Sequence, residues 1–131
     1  AGFRRDLGPA RGRTGDGEAW LMPPSLRAML GLCQRARKLV SGDLAAEQAL
    51  RRGRADLVLL ATDASERTRA KFAHLAAQAG VPCYFVGTRA ELGGAVGKAG
   101  RAVIVVQSRD FTRGMIGILQ REGLAPVTGR G

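Results

Sequence analysis

Residue types that commonly carry chemistry are scarce in this chain of 131 residues. It has one histidine and two cysteines, and aromatic residues make up 5% of the sequence. Cys33 and Cys83 lie fifty residues apart without partner cysteines nearby, which excludes a CxxC zinc or redox module and fits a reducing compartment. No apolar run approaches the roughly 20 residues that cross a bilayer, and the first residues lack the apolar segment of a secretory signal. We therefore expect a cytoplasmic protein with no membrane partner.

The same scarcity argues against catalysis. His74 falls on the polar side of a predicted helix, and both cysteines fall in apolar patterns typical of core residues. The glycines between residues 93 and 100 come late in a predicted helix and in the turn after it, whereas a phosphate-binding glycine loop follows a strand and opens a helix. We predict a protein that is not an enzyme and that uses no cofactor and no metal.

Positive charge is in large excess. The chain has 21 Lys and Arg against 11 Asp and Glu, and its sequence pI is near 11.3. Residues 1–24 contribute a net +1, whereas residues 25–125 contribute sixteen cations minus eight acids, or +8. Most of the cations are arginines, whose planar guanidinium suits phosphate. A nucleic acid is the partner that this charge favours first, although charge alone would also suit an anionic membrane surface.

Composition divides the chain into three parts. Residues 1–24, rich in Gly, Arg and Pro, are predicted to be a flexible arm, and residues 126–131 a flexible tail. Between them, helices and apolar strands alternate over residues 25–125, which predicts an α/β/α sandwich around a small sheet. The predicted N-caps are Ser25, Asp43, Ser65 and Thr88, a last helix spans Arg109 to Arg121, and the predicted strands are 38–40, 57–61, 83–86 and 102–106. In the third helix, the residues predicted to face inward are Phe72, Leu75, Ala76 and Ala79.

One stretch combines cations with a helix start. Residues 35–54 contain six cations against two acids, and Arg37 and Lys38 precede the Ser41-Gly42 turn that leads into the second helix. Free amides and the positive end of the helix dipole favour an anion at such a turn. Two interpretations stay open. The stretch either contacts nucleic acid or is a solvated basic face whose arginines complement a helix C-terminus.

Several segments together resemble a known family. They are residues 31–42 (GLCQRARKLVSG), the helix end at 49–53, residues 57–65 (LVLLATDAS) and residues 86–98 (VGTRAELGGAVGK). Over about residues 26–120 the chain resembles the kink-turn-binding ribosomal protein family of the L7Ae type, in particular its small bacterial YlxQ-like branch. The resemblance implies a three-layer α/β/α sandwich with a small mixed four-stranded sheet, no enzymatic activity, and binding of RNA that bends sharply at sheared G·A pairs.

The resemblance also implies which residues contact RNA. The start of the second helix would enter the RNA groove, with the cations Arg37, Lys38 and Arg52 beside it. Its contact residues would be Gly42, Asp43, Leu44, Ala45 and Gln48. The loop after the fourth helix would cover a flipped-out nucleotide with Lys98, Ala99, Gly100, Arg101 and Ala102, and Ser65 would lie between the two segments.

One difference from the family concerns the residues that read bases. Members that bind kink-turns tightly resemble one another in an Asn-Glu-x-x-Lys sequence, where this chain has Leu44, Ala45 and Gln48. Leu44 and Ala45 cannot accept hydrogen bonds from guanine amino groups, whereas Gln48 can still bond to a base edge. We therefore expect recognition by shape and phosphate contact, with steep salt dependence and low sequence discrimination.

Two functional hypotheses follow. The first is a non-catalytic, ribosome-associated, monomeric protein that binds a kink-turn or a similarly bent structured RNA, ribosomal RNA in the first place, and that has ribosomal or assembly proteins as further partners. The alternative is a protein-interaction or RNA-holding module of a larger assembly, which the apolar Leu44 and Ala45 favour. Capture of partners from a nuclease-treated lysate distinguishes the two.

Overall fold

The structure, a computed structural model, describes residues 22–127. Within these residues five helices alternate with four strands, each where the sequence predicts an element of that type. In chain order they are α1 (Pro24–Arg35), β1 (Leu39–Ser41), α2 (Asp43–Arg51), β2 (Leu57–Leu60), α3 (Glu66–Ala79), β3 (Cys83–Phe85), α4 (Arg89–Ala95), β4 (Val103–Val106) and α5 (Arg109–Arg121). The rest of the predicted arm and tail, residues 1–21 and 128–131, lies outside the described residues.

The four strands form one mixed sheet in the order β1-β4-β2-β3. Strand β4 is antiparallel to both β1 and β2, while β2 and β3 are parallel. Every residue of β2 and β4 is apolar and buried, which requires helices on both faces of the sheet. The mixed four-stranded sheet that the resemblance implied is confirmed.

Two apolar cores lie on the two faces of the sheet. Helices α1, α4 and α5 cover one face, and α2 and α3 cover the other. Because successive strand residues point to opposite faces, β2 gives Leu57 and Leu59 to the first core and Val58 and Leu60 to the second. The predicted three-layer α/β/α sandwich is therefore confirmed.

Two of the predicted N-caps are wrong. Helix α1 begins at Pro24, so Pro23 and not Ser25 is its cap residue, and the fixed φ of proline suits the first helical position. Helix α2 is capped by Gly42 at φ 95°, and Asp43 is its first helical residue. The Asp43 carboxylate accepts a hydrogen bond from Lys71 instead of capping its own helix.

The other caps agree with the sequence. The Ser65 hydroxyl accepts a hydrogen bond from the backbone N–H of Thr68 at 3.1 Å, and Thr88 and Glu91 form the predicted capping box. Ala79, however, is exposed rather than inward-facing, because α3 ends there and the chain turns away at the left-handed Gly80.

The folded part extends slightly beyond residues 25–125 at both ends. Met22 is buried in the core under α1, and its backbone N–H donates to the Glu91 carboxylate at 3.4 Å. Val127 donates its backbone N–H to the carbonyl of Cys83 at 2.7 Å. These contacts place Met22 and Val127 with the domain rather than with the arm and tail that the composition predicts.

Candidate nucleic-acid interface

The strand directions decide which of the predicted site residues lie together. Ser41 pairs with Ile104 and Leu39 pairs with Val106, so the end of β1 lies beside the start of β4. Strand β2 also ends beside the start of β4. One end of the sheet therefore carries the start of α2, the residues after β2 and the α4–β4 loop. The opposite end carries the α1–β1 and α2–β2 turns.

The first of these ends forms what we call the helix-start surface, which comprises residues 41–45, residue 65 and residues 98–102. Arg101 connects its parts. The Arg101 Nε donates to the Ser41 hydroxyl at 3.2 Å, and its Nη1 donates to the carbonyls of Gly100 at 3.1 Å and Ala99 at 3.4 Å. The backbone N–H of Gly42 donates to the Val103 carbonyl at 3.0 Å. The two segments that the resemblance assigns to RNA contact are thus held against each other.

Sequence reasoning missed the part of Ser41 in this surface. It selected Arg101 for RNA contact but did not foresee that the same side chain reaches across to the start of α2. The one sequence feature that pointed to Ser41 was its position next to a glycine at the end of a predicted strand. That signal cannot identify a partner sixty residues away.

The glycines before the α4–β4 loop shape it. A Cβ at Gly93 would lie 2.7 Å from the carbonyl carbon of Ala99 and 2.9 Å from the carbonyl oxygen of Lys98, which is closer than a side chain tolerates. The backbone N–H of Lys98 donates to the Gly93 carbonyl at 2.8 Å, and Gly97 has φ 72° in the turn between them. These glycines, which belong to one of the segments that resemble the family, let the loop pack directly on α4.

Helix α2 carries an ion-paired stripe on the side that faces α3. The Lys71 Nζ lies 2.7 Å from Asp43 Oδ1 and 2.9 Å from Glu47 Oε1, and Arg51 also pairs with Glu47 at 2.9 Å. The hydrogen bond from Lys71, followed by that from Arg51, lowers the pKa of Glu47, and the hydrogen bonds to Asp43 and Glu47 raise the pKa of Lys71. Both carboxylates of α2 are therefore compensated by cations.

The outward stripe of α2 carries no carboxylate. It consists of Leu44, Gln48 and Arg52, which repeat every four residues and so lie on one side of the helix. Leu44 is 70% exposed, Gln48 and Arg52 are exposed, and Ala45 beside them is half-buried. A polyanion that approaches this stripe contacts an apolar side chain, a side-chain amide and a guanidinium group.

Arg37 and Lys38 lie away from the helix-start surface, contrary to the prediction that they lie beside the start of the second helix. They precede β1, whereas Gly42 follows it, and a three-residue strand separates its two ends by about 10 Å. The backbone N–H of Gln107, after the last residue of β4, donates to the Lys38 carbonyl at 2.7 Å. These cations therefore lie at the opposite end of the sheet, and Arg52 lies at the end of α2 that leads toward them.

The residues set aside as structural are placed as predicted. His74 is exposed on α3, and Cys33 and Cys83 are buried free thiols. Burial raises the pKa of Cys33 to about 11 and that of Cys83 to about 12, the reverse of what a thiolate nucleophile needs. A further residue with a structural contact is Asp63, whose carboxylate accepts a hydrogen bond from the backbone N–H of Arg89 at the start of α4, at 2.8 Å. Among residues 22–127, no helix is long and apolar enough to span a bilayer.

Comparison with known families agrees with this architecture. The model of the ribosomal protein L7Ae/L30e/S12e/Gadd45 family matches residues 25–112. The chain belongs to this family. The chain is also similar to RNA-binding protein YlxQ of Bacillus subtilis, with 41% identity over 91 residues that cover 70% of this chain and 91% of the relative. RNA-binding protein YlxQ of Enterococcus faecium is 31% identical over 80 residues, which cover 61% of this chain and 78% of the relative. The YlxQ-like resemblance is thereby confirmed.

Solved structures support the same fold. A protein of unknown function from Bacillus halodurans superposes with a TM-score of 0.72 at 33% identity, over 75% of this chain and 99% of that protein. The 15.5kD RNA binding protein of Giardia lamblia superposes with a TM-score of 0.65 over 78% of this chain and 93% of that protein. At 19% identity, the second likeness shows the fold alone.

Proposed function

We propose that this chain is a non-catalytic RNA-binding protein that recognises a kink-turn or a similarly bent RNA with its helix-start surface. The observation that carries the proposal is the contact of Arg101 with Ser41, because it joins the α4–β4 loop to the start of α2 in one surface. Membership of the family and the similarity to two proteins named RNA-binding protein YlxQ support it.

Recognition rests on shape and phosphate contact. Lys98 and Arg101 supply cations from the loop, and Arg52 supplies one from the outward stripe of α2. Gln48 offers an amide to a base edge, and the exposed Leu44 offers apolar contact to a base or ribose. Because Lys71 compensates the carboxylates on the neighbouring stripe, α2 does not repel the RNA backbone.

We also propose ribosomal RNA as the target, in the cytoplasm, with ribosomal or assembly proteins as neighbours and the chain itself as a monomer. The family to which it belongs is a ribosomal protein family, and its buried free thiols suit a reducing compartment. Among the described residues, the exposed large apolar side chains are Leu32, Leu44 and Val127, which lie on three separate segments rather than in one patch of the size that dimers bury.

Gel-shift titration tests the proposal with three probes of equal length: a kink-turn RNA, a plain RNA duplex and a DNA duplex. We expect the kink-turn RNA to bind most tightly and the Lys98→Ala, Arg101→Ala double variant to lose this binding. Arg113→Ala is the matched control, because Arg113 is 76% exposed on α5, across the sheet from α2. Equal affinity for the three probes would reduce the function to generic polyanion binding. Unchanged affinity in the double variant would contradict the choice of surface.

A second candidate function is that of a protein-interaction module, which the exposure of Leu44 favours. Capture of partners from a nuclease-treated lysate, with Leu44→Asn as the comparison, tests it. A partner that survives nuclease and is lost in Leu44→Asn would support this candidate. Loss of all partners on nuclease treatment would support RNA binding.

A further inference from the structure

A second basic surface lies at the end of the sheet opposite the helix-start surface. Three segments meet there: the α1–β1 turn, the α2–β2 turn and the end of β4. They enclose a groove of about 360 Å³, which we call the basic groove, lined by Arg37, Lys38, Gly53, Arg54, Ala55, Asp56 and Gln107. Sequence reasoning counted Arg54 among the cations of this region but did not select it as a site residue.

The backbone of the basic groove is fixed by hydrogen bonds between its segments. The N–H of Gln107 donates to the Lys38 carbonyl at 2.7 Å, and its side-chain Nε2 donates to the Arg54 carbonyl at 3.0 Å. The N–H of Arg54 donates back to the Ala49 carbonyl at 2.8 Å across the left-handed Gly53, which closes the end of α2. Gln107 therefore connects the two turns that carry the cations.

The cations of the groove outnumber its acids among the described residues. Within residues 22–127, Arg37, Lys38 and Arg54 form no ion pair, whereas the nearby Arg51 is paired with Glu47. Asp56 lines the same groove, so the lining carries three cations against one acid. An external anion is the partner that this charge lacks.

Arg37 has a backbone conformation that favours glycine. Its φ is 59°, and it is the one described non-glycine residue with positive φ. It follows the last turn of α1, where its N–H donates to the Gln34 carbonyl at 2.9 Å and the N–H of Lys38 donates to the Cys33 carbonyl at 3.0 Å. Glycine usually occupies this position of a helix end. Arginine at this position has a less favourable backbone conformation than glycine would, and it adds a guanidinium group to the groove.

We propose that the basic groove binds the phosphate backbone of a second segment of the same RNA, so that the domain holds folded RNA at both ends of its sheet. The inference rests on the proposed function, because it assumes that the helix-start surface holds RNA. Helix α2 joins the two surfaces, and its nine residues span about 14 Å. At roughly 3.4 Å per phosphate along a strand, an RNA arm enters the basic groove only when it is longer than four to five base pairs.

The test compares two kink-turn RNAs, one with arms of about four base pairs and one with arms of about twelve. Binding constants are measured between about 50 and 200 mM salt for the wild type and three double variants. The groove variant is Arg37→Gly with Arg54→Ala, and its charge-retaining control is Arg37→Lys with Arg54→Lys. The helix-start variant is Lys98→Ala with Arg101→Ala.

We expect the wild type to show the steeper salt dependence on the long-armed RNA. The groove variant should reduce that slope by about one for each phosphate group that it no longer neutralises, while its binding of the short-armed RNA stays unchanged. The charge-retaining control should behave as the wild type, and the helix-start variant should lose both RNAs. Arg37→Gly alone should not lower the melting temperature, which separates weaker RNA binding from impaired folding.

Equal salt slopes of the wild type on the two RNAs, or a groove variant that binds the long-armed RNA as the wild type does, would overturn the inference while the proposed function stands. A groove variant weakened equally on both RNAs would also overturn it, because the groove would then belong to the first site. Failure of the wild type to bind the short-armed RNA would instead overturn the proposed function, and the inference with it.

Discussion

At the residue scale, two adjacent glycines of α4 have opposite surroundings. A Cβ at Gly93 would collide with the backbone of the α4–β4 loop, at 2.7 Å from the Ala99 carbonyl carbon. A Cβ at Gly94 would contact only the end of the Arg27 side chain, 3.3 Å away, and that side chain is free to move. Gly93 therefore determines where the loop lies, and Gly94 does not.

Substitution by alanine should separate the two positions. Gly93→Ala should lower the free energy of unfolding by about 1–3 kcal/mol, the cost of overpacking a close contact, and should weaken RNA binding because the loop is displaced. Gly94→Ala should raise the free energy of unfolding by up to about 1 kcal/mol, because alanine favours the helix. Denaturant unfolding of both variants, with gel shifts, measures this. A change of the same sign at both positions would contradict the packing described.

At the scale of the element, α2 carries both of its carboxylates on one stripe and none on the outward stripe. Asp43 and Glu47 face Lys71 on α3, while Leu44 and Gln48 face outward. Lys71 thus has two consequences. It joins two helices of one layer, and it compensates two carboxylates beside the proposed RNA contact.

Lys71→Met should change both the pH dependence of stability and RNA binding. The lowered pKa of Glu47 stabilises the fold above its ordinary value of 4.5, and this contribution is lost as the pH falls through the folded-state pKa. The raised pKa of Lys71 stabilises the fold below 10.5, and this contribution is lost as the pH rises through the folded-state pKa. Both dependences should flatten in the variant, and RNA affinity should fall several-fold. Arg113→Met, which removes the Asp110 pair on α5, is the control in denaturation and gel-shift series.

The outward stripe offers a direct test of the missing base readers. Leu44→Asn, Ala45→Glu and Gln48→Lys combined should raise affinity for a kink-turn RNA and leave a plain RNA duplex unaffected, because the new carboxylate can accept from guanine amino groups. Leu44 and Gln48 are exposed, so the fold should tolerate their changes. Unchanged kink-turn affinity in a gel shift would show that the α4–β4 loop dominates binding.

At the scale of the whole molecule, the sheet separates two cores that each contain one thiol. Cys33 lies in the core under α1, α4 and α5, and Cys83 lies in the core under α2 and α3. Each thiol therefore reports on the opening of one layer. Because burial raises both pKa values from 9.0, to about 11 and about 12, the folded thiols stay protonated at mildly alkaline pH.

If the sandwich opens as one cooperative unit, each thiol should react with a disulfide reagent only after the domain unfolds. The two thiols should then react at equal rates. The Cys33→Ala and Cys83→Ala variants each retain one thiol, so they show which reaction rate belongs to which cysteine. Stability should also decrease as the pH rises above 9, since the unfolded thiols ionise there and the folded ones do not. If one thiol reacts faster than the other in the absence of denaturant, the layer that contains it opens separately.

Local features were predictable from the sequence because they depend on residues close together in the chain. The Ser65 cap, the Thr88–Glu91 capping box and α5 from Arg109 to Arg121 match their predictions for this reason. The Ser25 and Asp43 caps did not, since the two helices begin earlier than predicted, directly after Pro23 and Gly42.

The sequence by itself determined the alternation of helices and strands, the apolar strands that must be covered on both faces, and the excess of positive charge. Only the tertiary structure decided where that charge lies. Arg37 and Gly42 are close in the chain, yet a strand directs them to opposite ends of the sheet. Arg101 and Ser41 are sixty residues apart, yet adjacent strands bring them into contact at 3.2 Å. The physical reason is that strand pairing sets these positions, and pairing is a property of the whole sheet.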